Sequence, residues 1–394
     1  MQWLLPAGIE DVLPPRARLL ERGRQTTLQL FDEWGYDQVI PPLAEFEDSL
    51  LTGVGEDLAK QTFRMVDPET GGMLGIRADI TPQVARVAAR HFDLSRPVRL
   101  CYLGSTLQAR PPTFHLSRNP LQLGAELFGD SGVAGDVEIV RLMVASLQGL
   151  GIDDFLLALG HVGIFHALAE EARLTAEQER GYHDILQRKA LTEIDPFLDS
   201  LNLTEAQRVS FRALVDLHGD ASVLNRASES FEGCCAGVLE ALQDLISISE
   251  ALQAHLPELT LYFDLAEVRG YRYHTGLVFA AYVEGEGRAI ASGGRYDGVT
   301  AAFGFECEAT GFSADLKNLI GLSSSGSLAG SGAKKAVLAP ANSDDSLIEV
   351  IANLRQQGYR VINDLADRSA PQGITHQLVR VAGEWQLQEL PASS

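Results

Sequence analysis

Cysteine is scarce in this chain: Cys101, Cys234, Cys235 and Cys307 are the four present in 394 residues. None forms a CxxC pair, and the adjacent Cys234 and Cys235 do not resemble a zinc knuckle. Reduced cytosolic thiols are the simplest reading. Positive charge is also short, with 32 Lys and Arg against 53 Asp and Glu and a net charge of -21. That disfavours non-specific nucleic-acid binding, which needs cations to displace counterions, though it leaves room for a local basic patch. No apolar run is long enough to cross a membrane, and no basic segment followed by an apolar one opens the chain. The expectation is a soluble, cytoplasmic protein. His161 and His166 lie five apart, a poor spacing for one helical face, so no metal site is expected.

What is present is globular: hydrophobic residues make up 45% of the chain, and its length suggests two or three domains. The stretch from Arg96 to Gly129 organises the rest. It opens with a mostly apolar run, Val98 to Leu103, that reads as a largely buried strand interrupted by Arg99. It closes with LQLGAELF, where Leu121, Leu123, Ala125 and Leu127 alternate with Gln122, Gly124, Glu126 and Phe128. Period-two alternation puts the leucines on one sheet face and Gln122 and Glu126 on the other. Gly124 between them leaves room for something to lie on the sheet. An amide and a carboxylate over a bare glycine suit a small ligand with an ammonium or imidazole group; the same pattern also suits a face open to water.

Along the chain, Pro14 and Pro15 open a helix that Gly35 ends. A short strand, Gln38 to Ile40, is broken by Pro41 and Pro42, which points to an edge strand or an interface. TFRMVD and MLGIRAD read as a hairpin around PETGG. A helix follows from about Thr81 to Arg90, with Asp79 placed either to cap it or to reach into a pocket. Val137 to Leu150 is an amphipathic helix. DFLLALGHVGIF reads as a strand turning into a helix, and residues from about 165 to 256 as a helical insertion. Strand patterns resume with LTLYFDL, GLVFAAYVE and RAIASGG, and GFSADLKNLIGL reads as strand into helix. The expected fold is α+β: an antiparallel sheet flanked by helices over residues 1–322, a linker at 323–333, and a short C-terminal α/β module at 334–394.

Six segments together resemble histidyl-tRNA synthetases, a class II aminoacyl-tRNA synthetase family, over roughly residues 5–322. LPAGIEDVLPP is similar to the family's opening, and GYDQVIPPLAE to motif 1, its dimer-interface element. RADITPQVAR resembles the amino-acid-binding segment, and YLGSTLQARPP through QLGAELFG follows motif 2 without a gap. VRGYRYHTGLVF resembles the histidine-specific loop, and SGGRYDG with GFSADLKNLIGL resembles motif 3. The resemblance implies histidine-binding roles for Asp79, Thr81, Gln122, Glu126, Arg269, Tyr273 and His274. Carboxylates would pair with the ammonium and imidazole N–H groups, and Arg269 with the ligand carboxylate; a surface ion pair is the other reading of Arg269. His274 replaces a second tyrosine of that loop and Arg272 an aspartate.

The departures decide what the resemblance implies. The family clamps ATP with one arginine in motif 2 and one in motif 3. Here those positions are Gln108 and Asn318, and Arg110 replaces the acidic residue that follows the first. Charge-assisted bonds to phosphate are worth roughly 1.5–3 kcal/mol each, and neither amide carries the charge. Adenylate formation, which relies on stabilising the transferring phosphate, should be lost. The tail is also too short for a full anticodon-binding domain. A histidine pocket without ATP machinery resembles the regulatory subunit family of ATP phosphoribosyltransferase. That resemblance implies no catalysis by the chain itself and no cofactor. It implies a hetero-octamer with the short catalytic subunit, activation of that subunit, feedback inhibition by L-histidine, and a self-dimer through Gly35 to Glu45. A divergent histidyl-tRNA synthetase, another synthetase-like ligase and a stand-alone histidine sensor are the alternatives. The first two require ATP chemistry that Gln108 and Asn318 do not support.

Overall fold

Pro15 stands at the N-cap of the first helix, α1 (Arg16–Glu33), and Gly35 follows its C-terminus at φ +79. That left-handed conformation is the one a helix-ending C′ residue adopts, and glycine reaches it without a Cβ clash. The structure is a computed structural model. It describes residues 4–53, 55–110, 117–267, 273–323, 335–341, 344–365 and 373–390. The chain divides into two compact units, 1–324 and 325–394. Beyond Ser323, the expected linker lies outside the described residues.

After α1 come β1 (Asp37–Gln38), β2 (Ala44–Phe46), α2 (Glu47–Leu50) and α3 (Glu56–Gln61). The hairpin β3 (Phe63–Val66) and β4 (Met73–Ile76) leads into α4 (Thr81–His91), which carries Pro82 in its first turn. The central stretch forms β5 (Val98–Ser105) and β6 (Leu121–Phe128), followed by α5 (Val133–Gly149). Then come β7 (Leu156–His161), α6 (Val162–Glu171), α7 (Ala176–Gln187), α8 (Leu191–Asp199), α9 (Glu205–Asp216), the two-residue β8 (His218–Gly219), α10 (Ser222–Ser230) and α11 (Ala236–His255). The sheet resumes with β9 (Thr260–Asp264), β10 (Leu277–Tyr282), β11 (Ala291–Arg295) and β12 (Ala309–Asp315), and α12 (Leu316–Leu322) closes the unit.

Nine strands form one sheet in the order β1-β5-β6-β12-β11-β10-β7-β9-β8. From β5 to β7 every neighbour is antiparallel, while β1 joins β5 and β9 joins β7 in parallel. The strand before the Pro41–Pro42 pair does lie at the sheet edge. It is shorter and earlier than the 38–40 expected, although the Val39 amide still donates to the Cys101 carbonyl at 2.9 Å. A second sheet, β2-β4-β3, adds to the expected hairpin a strand that its three residues did not reveal. Helix α5 begins at Val133 rather than Val137. The Asp130 carboxylate takes the Gly132 and Gly135 amides at 3.0 and 3.2 Å, so a cap starts the helix a turn before its apolar stripe.

The chain leaves the sheet at β7 and returns at β9, and nearly everything between is helical. Thr175 and Thr204 open α7 and α9 as capping boxes with Gln178 and Gln207. Buried Tyr182 packs among Phe165, Phe197 and Phe211 and donates its hydroxyl to the Phe211 carbonyl at 2.6 Å. Arg99, the polar break in β5, is held two-pronged by Glu138 of α5 at 2.7 and 2.8 Å.

The second unit contains β13 (Ala336–Pro340), α13 (Asp345–Gln356), β14 (Arg360–Asp364), β15 (His376–Val381) and β16 (Glu384–Glu389). Its sheet runs β14-β13-β15-β16 over a small core that includes Val337, Leu347, Ile351 and Leu378. No helix among the described residues is long and apolar enough to cross a membrane.

Candidate functional site

The alternation in β6 puts Gln122, Gly124 and Glu126 on one face, and register then decides what each meets. Across β5, Tyr102 stands opposite Gly124; across β12, Gly311 stands opposite Glu126. The room left by Gly124 is filled by the chain's own Tyr102. A Cβ at 124 would run into the tyrosine hydroxyl and sit 2.6 Å from the Phe312 carbonyl. The expectation that a ligand lies on that glycine is therefore corrected. Gly311 is bare for a related reason: the Glu126 carboxyl occupies the space a Cβ would need.

Glu126 is 1% exposed. Tyr102 donates its hydroxyl to Oε1 at 3.1 Å and Tyr296 donates to Oε2, while Thr81 Oγ1 lies 2.9 Å from the Tyr102 hydroxyl. Burial pushes this carboxyl up to about 8; the surrounding hydroxyls pull the other way, and Asp79 adds to the rise. Asp79 serves both readings the sequence offered. Its Oδ1 accepts the Thr81 amide at 3.1 Å in the first turn of α4, and its side chain lines the cavity described below. Gln122 clamps this turn, donating to Asp79 at 2.7 Å and accepting the Ile80 amide at 3.0 Å.

Tyr273 stacks on Tyr296, with ring centroids 5.0 Å apart, and its buried hydroxyl has no hydrogen-bond partner among the described residues. His274 turns Nδ1 to the Arg295 carbonyl at 3.3 Å, and burial pushes the ring down to about 4. Arg295 is buried as well. Its guanidinium bonds Asp136 at 3.0 Å, the Asp130 carbonyl at 2.8 Å and the Gly132 carbonyl at 3.1 Å, tying the end of β11 to the start of α5. Its pKa is raised; burial opposes the rise, and the carboxylate of Asp136 leads the groups that outweigh it.

A cavity of about 320 Å³ opens among Asp79, Thr81, Glu126, Tyr273, His274 and Tyr296, with Ser292, Ser313, Asp264 and Glu267 further round its wall. A second, of about 340 Å³, adjoins it and shares Asp79. Gln108 and Asn318 both line this second cavity together with Gln122, so the two positions singled out in motifs 2 and 3 are brought to one place. Its one lining cation among the described residues, Arg288, donates to the Asn318 side-chain oxygen at 3.1 Å. Arg269 lies outside the described residues.

Sequence reasoning passed over Tyr102, Tyr296, Arg295 and Arg288. A bulky aromatic opposite a glycine in a paired strand could have pointed to Tyr102, given the register. Tyr296 and Arg295 sit inside the quoted SGGRYDG segment, but nothing local says that one faces a carboxyl and the other is buried. Among the described residues no group of three or more His, Cys, Asp or Glu is placed to hold a metal ion.

The family profile "Histidyl-tRNA synthetase" matches residues 8–319, and "ATP phosphoribosyltransferase subunit HisZ C-terminal domain" matches residues 334–388. An ATP phosphoribosyltransferase regulatory subunit of Pseudomonas syringae pv. syringae is 46% identical over 99% of this chain and 98% of its own length. Its counterpart in Thioalkalivibrio sulfidiphilus is 47% identical over 93% and 92%. A crystal structure from Bacillus halodurans, described as an ATP phosphoribosyltransferase regulatory subunit/histidyl-tRNA synthetase, superposes with a TM-score of 0.80 at 26% identity, covering 93% of this chain and 94% of that one. A histidyl-tRNA synthetase from a Nostoc species reaches the same TM-score at 19% identity, covering 99% of this chain and 95% of that one, and so shares the fold.

Proposed function

The chain belongs to the family of ATP phosphoribosyltransferase regulatory subunits, with a regulatory role in histidine biosynthesis, and from that premise we propose how it regulates. It binds the short catalytic subunit of ATP phosphoribosyltransferase, activates it, and carries its feedback inhibition by L-histidine in the cavity over Glu126. The observation that carries this reading is the pairing of the two cavities. The one over Glu126 keeps buried polar groups suited to an amino acid with a basic ring, with Asp79 in its wall for an ammonium. The one beside it presents Gln108 and Asn318 where an ATP-using relative would present charge, and Arg288 is engaged with Asn318. We infer that the chain forms no adenylate, and its acidity argues against tRNA as a partner.

A self-dimer through Gly35 to Glu45 is part of the reading, supported by exposed Ile40 and Leu43 in that segment. All four cysteines are free, which suits a reducing compartment such as the cytoplasm. For histidine to inhibit, it must bind the inhibited and active assemblies with different affinities, and a coupling of ~1–3 kcal/mol is typical.

The test is phosphoribosyl-transfer turnover by the purified catalytic subunit of the same organism, alone, with this chain, and with histidine added. Stimulation that histidine reverses is expected, and Glu126→Ala and Gln122→Ala should weaken the reversal while sparing the stimulation. Equal loss of both effects overturns the separation of roles. Histidine-dependent ATP–pyrophosphate exchange by the chain alone overturns the non-catalytic reading.

A further inference from the structure

Two buried polar side chains grip the Pro41–Pro42 segment, and both flank the turn that carries Asp79. Arg77 donates from Nη1 to the Pro41 carbonyl at 2.7 Å and the Pro42 carbonyl at 3.4 Å, and from Nε to the Ser105 carbonyl at 2.9 Å. Gln83 donates to the Pro42 carbonyl at 2.8 Å and to Glu45 at 2.7 Å, and Arg86 donates to the same Glu45 oxygen. Prolines have no N–H, so their carbonyls are the backbone groups by which this stretch can be held.

Neither Arg77 nor Gln83 is the choice that stability alone would make. Burial pulls the Arg77 pKa down, and its hydrogen bonds go to neutral carbonyls, with Glu45 acting as a nearby charge. A buried cation without a bonded carboxylate is costly. Gln83 is buried as well, and its side-chain oxygen has no hydrogen-bond partner among the described residues. Neither residue lines the two cavities. What they share is position: Arg77 stands two residues before Asp79 and Gln83 four after it. Asp79 lines both cavities, and its Oδ1 takes both the Thr81 amide and Gln122, which leaves Oδ2 for a ligand. On the other side, Ile40 and Leu43 flank the prolines and are exposed.

Resting on the histidine and self-dimer readings above, we propose that the turn from Arg77 to Gln83 carries the feedback signal from the cavity to the surface at Ile40 and Leu43. An ammonium on Asp79 draws the turn toward the cavity, and Arg77 and Gln83 draw the Pro41 and Pro42 carbonyls with it. The contact between copies then differs between the empty and liganded chains, and such a difference is what lets a ligand shift an assembly. Arg77 and Gln83 are positioning residues: they touch no ligand, and they set what binding does.

The experiment separates binding from inhibition in Gln83→Met, using the full chain alone and assembled with the catalytic subunit. Methionine keeps the length and removes both donations. Neither acceptor is stranded, because the Pro42 carbonyl keeps Arg77 and Glu45 keeps Arg86. Histidine affinity by calorimetry should weaken by no more than about threefold, whereas saturating histidine should no longer suppress most of the turnover, a coupling of about fivefold or more being lost. Arg77→Lys, which keeps the charge but not the fork that reaches three carbonyls, should shift the balance the same way. Full inhibition at saturating histidine in both variants, or inhibition that falls only as far as binding falls, overturns the transmission. Absence of histidine binding by the unaltered chain, or a monomeric unaltered chain by light scattering, overturns the readings beneath this proposal together with it.

Discussion

Tyr102 lies in the notch that Gly124 leaves in the neighbouring strand, and from there it donates its hydroxyl to Glu126 at 3.1 Å. The glycine thus positions the group that holds the buried carboxyl. Gly124→Ala should push the ring aside, because the added Cβ would also sit 2.6 Å from the backbone carbonyl of Phe312, which is less free to move. Overpacking of this kind costs about 1–3 kcal/mol. Urea unfolding should show a loss in that range, and titration with histidine should show binding largely gone. Unchanged binding would mean that Tyr102 does not organise Glu126.

Asp136 and Arg295 form a pair buried on both sides, with Arg295 7% and Asp136 4% exposed. Removing Asp136 leaves the buried guanidinium only the Asp297 carboxylate, at 3.3 Å, as a counter-charge, so Asp136→Ala should cost up to about 3 kcal/mol. Glu138→Ala, at the partly exposed pair with Arg99, should cost about 1 kcal/mol or less in ion pairing. The ordering of the two denaturation midpoints checks the contrast. Asp136→Ala should also blunt histidine binding, since the Arg295 carbonyl holds His274.

Stability should depend on pH through Glu126. In the folded chain it titrates up to about 8, mainly through burial, and in the unfolded chain it returns to ~4.3. Between those values the folded state holds a proton that the unfolded state has released. The contribution is therefore fully present below the unfolded value and is lost as pH rises toward 8. Glu126→Gln does not titrate. The stability of the unaltered chain minus that of the variant should thus fall steadily from about pH 5 to about pH 8, measured by urea unfolding at several pH values. A flat difference would place the carboxyl's folded value near the ordinary one.

Lys189, between α7 and α8, pairs with Asp264 at the end of β9, and Asp264 also lines the first cavity. The lysine side chain is 59% exposed, so solvent screens the pair. Lys189→Ala should change stability by less than about 1 kcal/mol, and histidine affinity by less than about threefold. A larger effect on affinity, measured by calorimetry, would show that the helical insertion is coupled to the cavity.

Much of the fold was legible because its signals are local. The proline pair before α1, Gly35 after it and the hairpin around PETGG are each properties of a few adjacent residues. The places where structure departed from sequence are those where one local signal hid another. Asp130 starts α5 a turn before its stripe begins, and β2 is too short to show a pattern.

The sequence by itself determined that Gln122, Gly124 and Glu126 share a face, because alternation is built into every strand. It also determined that Gln108 and Asn318 carry no charge, because that is a matter of residue type alone. Only the tertiary structure decided that Tyr102 covers Gly124, that Tyr296, 170 residues away, reaches Glu126, and that His274 turns its Nδ1 toward Arg295. Each depends on strand register or on the chain's return after the helical insertion. A contact across such separations is selected by the packing of the whole sheet, which no short stretch of sequence encodes.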